Sequence, residues 1–121
     1  MLVTPVERLI AALEPRLSVP VVTKVPRDPP ALFVRLDAAA PRSVTPVTDD
    51  TLIAVQVYGA DQGEVVDTLL ALRFVLMDEV YASDPKIVWW AEEAGPHEFP
   101  DPDDGATFRW QFTGILTTTL T

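Results

Sequence analysis

Residues 64–80, EVVDTLLALRFVLMDEV, constrain the fold more than any other stretch. At about 100° per residue, Val65, Leu69, Leu72, Leu76 and Val80 form one apolar flank of a helix, and Val66, Leu70, Phe74, Met77 and Tyr81 form a second beside it. Arg73 falls between the two. A helix on a single core needs one apolar stripe. An apolar arc of about 200° implies two surfaces to cover, one in the chain's own core and one beyond it.

Arg73 has two readings. It is a half-buried arginine that pairs with a carboxylate of its own chain or snorkels to the helix edge, or it is a bidentate anchor at a seam between subunits. Phe33, one of Trp89 and Trp90, and the flank of Phe74, Met77 and Tyr81 also exceed what one small core needs. Self-assembly accounts for all of them, with Arg73, Phe74, Met77, Tyr81, Trp90 and Phe33 as candidate subunit contacts.

The rest of the chain reads as short elements punctuated by proline. Thr4-Pro5-Val6-Glu7 has the pattern of a capping box, and Val6, Leu9, Ile10, Leu13 and Leu17 then share one face of a helix bracketed by Pro15 and Pro20. Val19 to Val25 is a β-branched strand candidate, and ALFVRLDA alternates as a strand. Ala38 to Asp50 shows no period and reads as a long loop before the strand TLIAVQVYG. Asp61 caps the second helix, with Glu64 placed to close the box. KIVWWAEEAG and GATFRWQFTGILTTTL are strand-like, separated by the acidic loop PHEFPDPDD.

The order α-β-β-β-α-β-β predicts an α+β fold, with a twisted, mainly antiparallel or mixed sheet of about five strands and two helices packed on one face. At 121 residues it makes one domain, residues 1–121. Phe108, Trp110 and Phe112 share one face of the last strand, whereas Trp89 and Trp90 point to opposite faces of theirs. One large aromatic is therefore left away from the helices.

The formal charge of −9 opposes phosphate binding, so sequence-specific nucleic-acid recognition is not expected. The chain has no cysteine, which excludes disulfide and thiolate chemistry. The N-terminus lacks a basic leader and no apolar run is long enough for a membrane span, so a cytoplasmic protein without membrane contact is expected. His97, the single histidine, stands near Glu98, Asp101, Asp103 and Asp104, but the calcium-loop pattern is missing and Pro100 and Pro102 stiffen the segment. Asp49 and Asp50 are adjacent and would diverge on a strand. No phosphate-binding glycine loop, zinc-protease motif or nucleophile elbow occurs. No catalytic residue, cofactor site or metal site is expected, and the chain is read as a non-enzyme.

The layout resembles the tail terminator proteins of long-tailed bacteriophages. The likeness runs through TPVERLIAALEPRL, the extended VPVVTKVPRDPPALFVRLDAA, an irregular loop, DDTLIAVQVYGADQGEVVDTLLALRFVLM, and GPHEFPDPDDGATFRWQFTGILTTTL. It implies a structural subunit of a ring, expected to be a hexamer, that caps the tail tube, stops its polymerisation and presents the head-joining surface. Implied partners are further copies of the chain, the tube protein and the head-connector or stopper protein, in the virion neck after assembly in the host cytoplasm. Arg42, Asp49, Asp50, Asp101, Asp103 and Asp104 are then candidate contacts to the adjacent tube or connector ring. Related neck and tail-completion proteins share the layout. Two readings of other classes are an acidic nucleic-acid mimic and a small-molecule-binding domain, both expected to be monomers.

Overall fold

The computed structural model describes residues 3–103 and 107–120. Helix α1 spans Pro5–Leu13, and its capping box is closed: the Glu7 amide donates to Thr4 Oγ1, and the Thr4 amide to Glu7 Oε2, both at 3.2 Å. Pro15, which has no N–H to continue the ladder, sits in a 3-10 turn at Glu14–Arg16. Leu9, Ala12 and Leu13 are buried.

Six strands form one mixed sheet: β1 (Val21–Val22), β2 (Leu32–Ala38), β3 (Arg42–Thr45), β4 (Thr48–Gly59), β5 (Ile87–Glu98) and β6 (Phe108–Thr119). The order is β1-β2-β4-β6-β5, with β3 also beside β4. Only the β1–β2 pair is parallel. The α+β class holds, with both helices contributing to one core on one face of the sheet.

Three expectations about elements change. The strand expected over 19–25 is reduced to Val21–Val22: Pro20 precedes it and the chain bends at Thr23 and Lys24. The expected loop over 38–50 contains β3, which forms a hairpin with β4. All four β3 residues are exposed, so no apolar alternation marks the strand. Strand β5 runs on through Gly95, Pro96 and His97, accommodated by register shifts between Ile87 and Trp89, Glu92 and Ala94, and Ala94 and His97.

Registers explain the core. Val34 faces Val57, Leu36 faces Val55, and Val55 faces Phe112, so one face of three neighbouring strands is a continuous apolar surface. Helix α2 (Gln62–Phe74) lies on it, started by Asp61, whose carboxylate accepts the Gly63 and Glu64 amides. Glu64 does not return the bond, so the second capping box is half made. The helix is not a continuous α-helix to Val80: a π-helical turn occupies Val75–Glu79 before α3 (Val80–Ser83). Within this wider turn Val75 and Leu76 both enter the core.

Gly114 is where the sheet and Trp90 meet. A Cβ there would lie 2.7 Å from Trp90 Cε2 and 2.8 Å from the Ala91 carbonyl oxygen. Only a residue without a side chain lets the indole lie flat on β6 and stand edge-on to Phe112, centroids 6.0 Å apart.

Candidate functional site

The two flanks of 64–80 separate as the spacing predicts. Val65, Leu69, Leu72, Leu76 and Val80 are fully buried, whereas Phe74 and Met77 are 58% and 50% exposed, with Leu70 exposed beside them. Arg73 lies between and points to β5: Nε donates to Glu92 Oε1 at 2.7 Å and Nη2 to Glu92 Oε2 at 2.8 Å. This bidentate bond pushes the guanidinium pKa still higher, against the smaller opposing effect of burial. The carboxylate partner of Arg73 is therefore in its own chain, and the fork is not free to anchor a neighbour. Tyr81 is also committed internally, its hydroxyl accepting the Trp90 amide at 2.9 Å.

Two further candidate contacts are corrected. Trp90 is 4% exposed and belongs to the core; Trp89, displaced to the other face by the bulge at Val88, is 61% exposed. Phe33 is buried on the sheet face away from the helices, stacked on Tyr58 with centroids 4.7 Å apart. The outward apolar residues of the helix side are thus Leu70, Phe74 and Met77 on α2 and the turn after it, while Val88 and Trp89 are exposed on the other face of β5, the last strand of the sheet.

At one end of the outer sheet face lies a polar network. Gln56 Nε2 donates to Gln111 Oε1 at 3.0 Å, and Gln56 Oε1 accepts from Arg35 Nη1 and the Tyr58 hydroxyl, both at 3.3 Å. Arg109 Nη1 donates to the Tyr58 oxygen at 3.2 Å, while its Nε and Nη2 hold the carbonyls of Phe99 at 2.6 Å and Pro100 at 3.2 Å. The guanidinium also stacks over the Phe99 ring, 4.7 Å from its centroid. A buried arginine whose nearest carboxylate, Asp101, is 3.9 Å away acts here mainly as a clamp on the base of the acidic loop.

His97 belongs to β5, not to the loop. Its Nδ1 is 2.8 Å from the Gly95 carbonyl, so that nitrogen carries the proton and Nε2 faces the Gln111 amide at 3.5 Å. No group of three or more potential metal ligands occurs among the described residues. Asp101 is half-buried and accepts the Asp103 amide at 2.9 Å; Asp103 is exposed, and Asp104 lies outside the described residues.

Arg42, Asp49 and Asp50 are strand residues, not loop residues. Asp50 accepts the Thr117 hydroxyl at 2.6 Å. Arg42 and Asp50, together with Ala40, Leu52, Glu93 and Ile115, line an open recess of about 330 Å³ on the outer face. Arg109 and Glu92 are the residues that sequence reasoning missed. For Arg109 a signal existed, because strand parity places it with Gln111 opposite Trp110 and Phe112.

Among the described residues no helix is long and apolar enough to cross a membrane. In comparisons with models of known protein families and with characterised proteins, the sequence matches none.

Proposed function

We propose that this chain is a structural tail terminator of a long-tailed bacteriophage. Copies form a ring, expected to be a hexamer, that caps the tail tube, halts tube growth and presents the surface to which the head connector joins. The role is non-catalytic and needs no cofactor, and the protein works in the neck of the virion after assembly in the host cytoplasm. Its partners are its own copies, the tube protein and the connector or stopper protein.

The observation that carries the reading is the second flank of α2. Phe74 and Met77 remain exposed after the other flank has filled the core, and Trp89 stands exposed on the neighbouring strand. Exposed Phe74 and Met77 beside Leu70 on one helix edge suit a contact with a further subunit. The charge of −9 fits a channel through which DNA slides without specific binding. The resemblance in layout supplies the identity of the assembly.

The test is growth of purified tail tubes with and without this chain. Tubes that stop at shorter lengths and carry a cap of extra density at one end support termination. Tubes of unchanged length with no bound chain overturn it.

A further inference from the structure

The outer face of the sheet, away from the helices, is covered at one end and bare at the other. Towards the acidic loop the chain covers its own sheet: Phe33 stacks on Tyr58, and Arg109 holds the loop backbone at Phe99 and Pro100. In the next row Arg35, Gln56, Gln111 and His97 lie side by side and spread long polar side chains over the strands. Past that row the registers place three more. Asp37, Ala54, Thr113 and Ala94 are neighbours across β2, β4, β6 and β5. Leu52, Ile115 and Ala91 follow across β4, β6 and β5. The last row is Arg42, Asp50, Thr117 and Trp89, across β3, β4, β6 and β5.

Short side chains fill the middle of these rows, so two adjoining recesses of about 330 Å³ and 260 Å³ remain, and Leu52 lines both. Leu52 and Trp89 are exposed, while both helices pack on the opposite face. Charge stands at the sides. Arg42 on β3 and Glu93 on β5 line the larger recess from either side of β4 and β6. Both are exposed and, among the described residues, neither has an ion pair. A partner for this face must therefore be flat and apolar at its centre, with a negative group or an aromatic ring for Arg42 at one side and a cation for Glu93 at the other.

We infer that the partner is a second copy of this chain, docked by the same face about a two-fold axis that runs along the strands between β4 and β6. The half-turn exchanges β4 with β6 and β3 with β5 while keeping each row in place. Leu52 of each copy then comes over Ile115 of the other, and Arg42 over Trp89, on the side where Glu93 stands. Asp50 and Asp37 come over Thr117 and Ala94, so no two carboxylates of these rows are opposed. One patch thus supplies both halves of the contact, as a two-fold interface requires, and the two sheets stack with their strands aligned. At ordinary strand spacing the three rows cover about 20 Å by 20 Å, roughly 400 Å² per copy, so the dimer is weak. It leaves Leu70, Phe74 and Met77 free on the opposite side and goes beyond the ring contact proposed for them.

The chain carrying Phe74→Ser and Met77→Ser isolates this contact, because the helix edge is removed from it. By sedimentation and light scattering at low salt, that chain is expected to pass from monomer to dimer as concentration rises. Quenching by acrylamide is expected to fall in step, since Trp89 is the exposed tryptophan of the three. Adding Leu52→Lys, at the centre of the face, is expected to leave a monomer with unchanged far-ultraviolet circular dichroism. Adding Arg42→Glu is expected to weaken dimerisation by about tenfold, two cation–ring contacts being lost per dimer. A strict monomer up to about 1 mM before either change, a dimer that persists with Leu52→Lys, or one indifferent to Arg42→Glu overturns the two-fold contact. None of these results touches the ring reading, which the mass of the parent chain decides.

Discussion

Gly114→Ala is expected to be among the most damaging single-methyl changes in this chain. The added carbon would press on Trp90 Cε2 at 2.7 Å and on the Ala91 carbonyl oxygen at 2.8 Å. Neither neighbour yields easily. Trp90 is almost wholly buried and locked edge-on to Phe112, and moving it gives up that aromatic contact, worth ~0.5–1.5 kcal/mol. Moving the Ala91 carbonyl shifts β5 away from β6, where Ala91 pairs with Ile115. Overpacking of a well-filled core costs ~1–3 kcal/mol, and replacing a strand glycine returns up to ~1 kcal/mol through the unfolded state, so with the aromatic contact included the net loss should be ~1–3 kcal/mol. Urea titration followed by circular dichroism and by tryptophan emission reads it directly. Gly95→Ala, on the neighbouring strand, meets nothing closer than Arg73 Nη2 and Glu92 Oε2 at 3.8 Å and should change stability by less than ~0.5 kcal/mol. Gly114→Ala should also be non-additive with Trp90→Leu, because the smaller side chain vacates the space. A loss below ~0.5 kcal/mol for Gly114→Ala, or simple additivity with Trp90→Leu, would refute the reasoning.

Three further outcomes are expected. Tyr81→Phe leaves the Trp90 amide without its acceptor and should cost ~1–3 kcal/mol in urea unfolding. Burial raises the Tyr81 phenol pKa, the bond from Trp90 opposing it, so the fold is favoured while the phenol is neutral. That contribution is complete below about pH 10 and disappears as pH climbs through the raised value; Tyr81→Phe should show a shallower alkaline loss, and an identical pH profile would contradict the assignment. Thr51, buried among apolar side chains with no partner for its hydroxyl among the described residues, should tolerate Thr51→Val with a gain of ~1 kcal/mol, and a loss of that size would mean the hydroxyl is bonded. A double-mutant cycle on Arg73→Met and Glu92→Gln should return ~1 kcal/mol of coupling, reduced by salt, because the pair is bidentate but partly solvated.

How far the sequence carries depended on whether a signal was local. The capping box at Thr4 and Glu7 and the buried flank from Val65 to Val80 were legible because helix geometry alone fixes which positions meet. Strand β3 was not legible, since its four residues face water and are held by pairing with β4. The choice between Trp89 and Trp90 turned on the bulge at Val88, which reverses which neighbour faces inward and has no single-residue signature. Arg73 illustrates the same limit. Its position on the helix was readable, but its partner Glu92 is nineteen residues away on another element, and only the fold brings the two carboxylate oxygens to the guanidinium. The π turn at Val75–Glu79 escaped because its sequence suits an α-helix equally well.

The most direct test of the central claim is the mass and shape of the protein in solution. Light scattering across a size-exclusion peak, at rising concentration and low salt, should give a multiple of the subunit mass, and negative-stain images of the same fractions should show closed rings. Phe74→Ser combined with Met77→Ser should abolish them while leaving the urea midpoint within error, because both side chains are exposed in the single chain. A parent that remains monomeric at every concentration, or rings that survive the double substitution, would contradict the account.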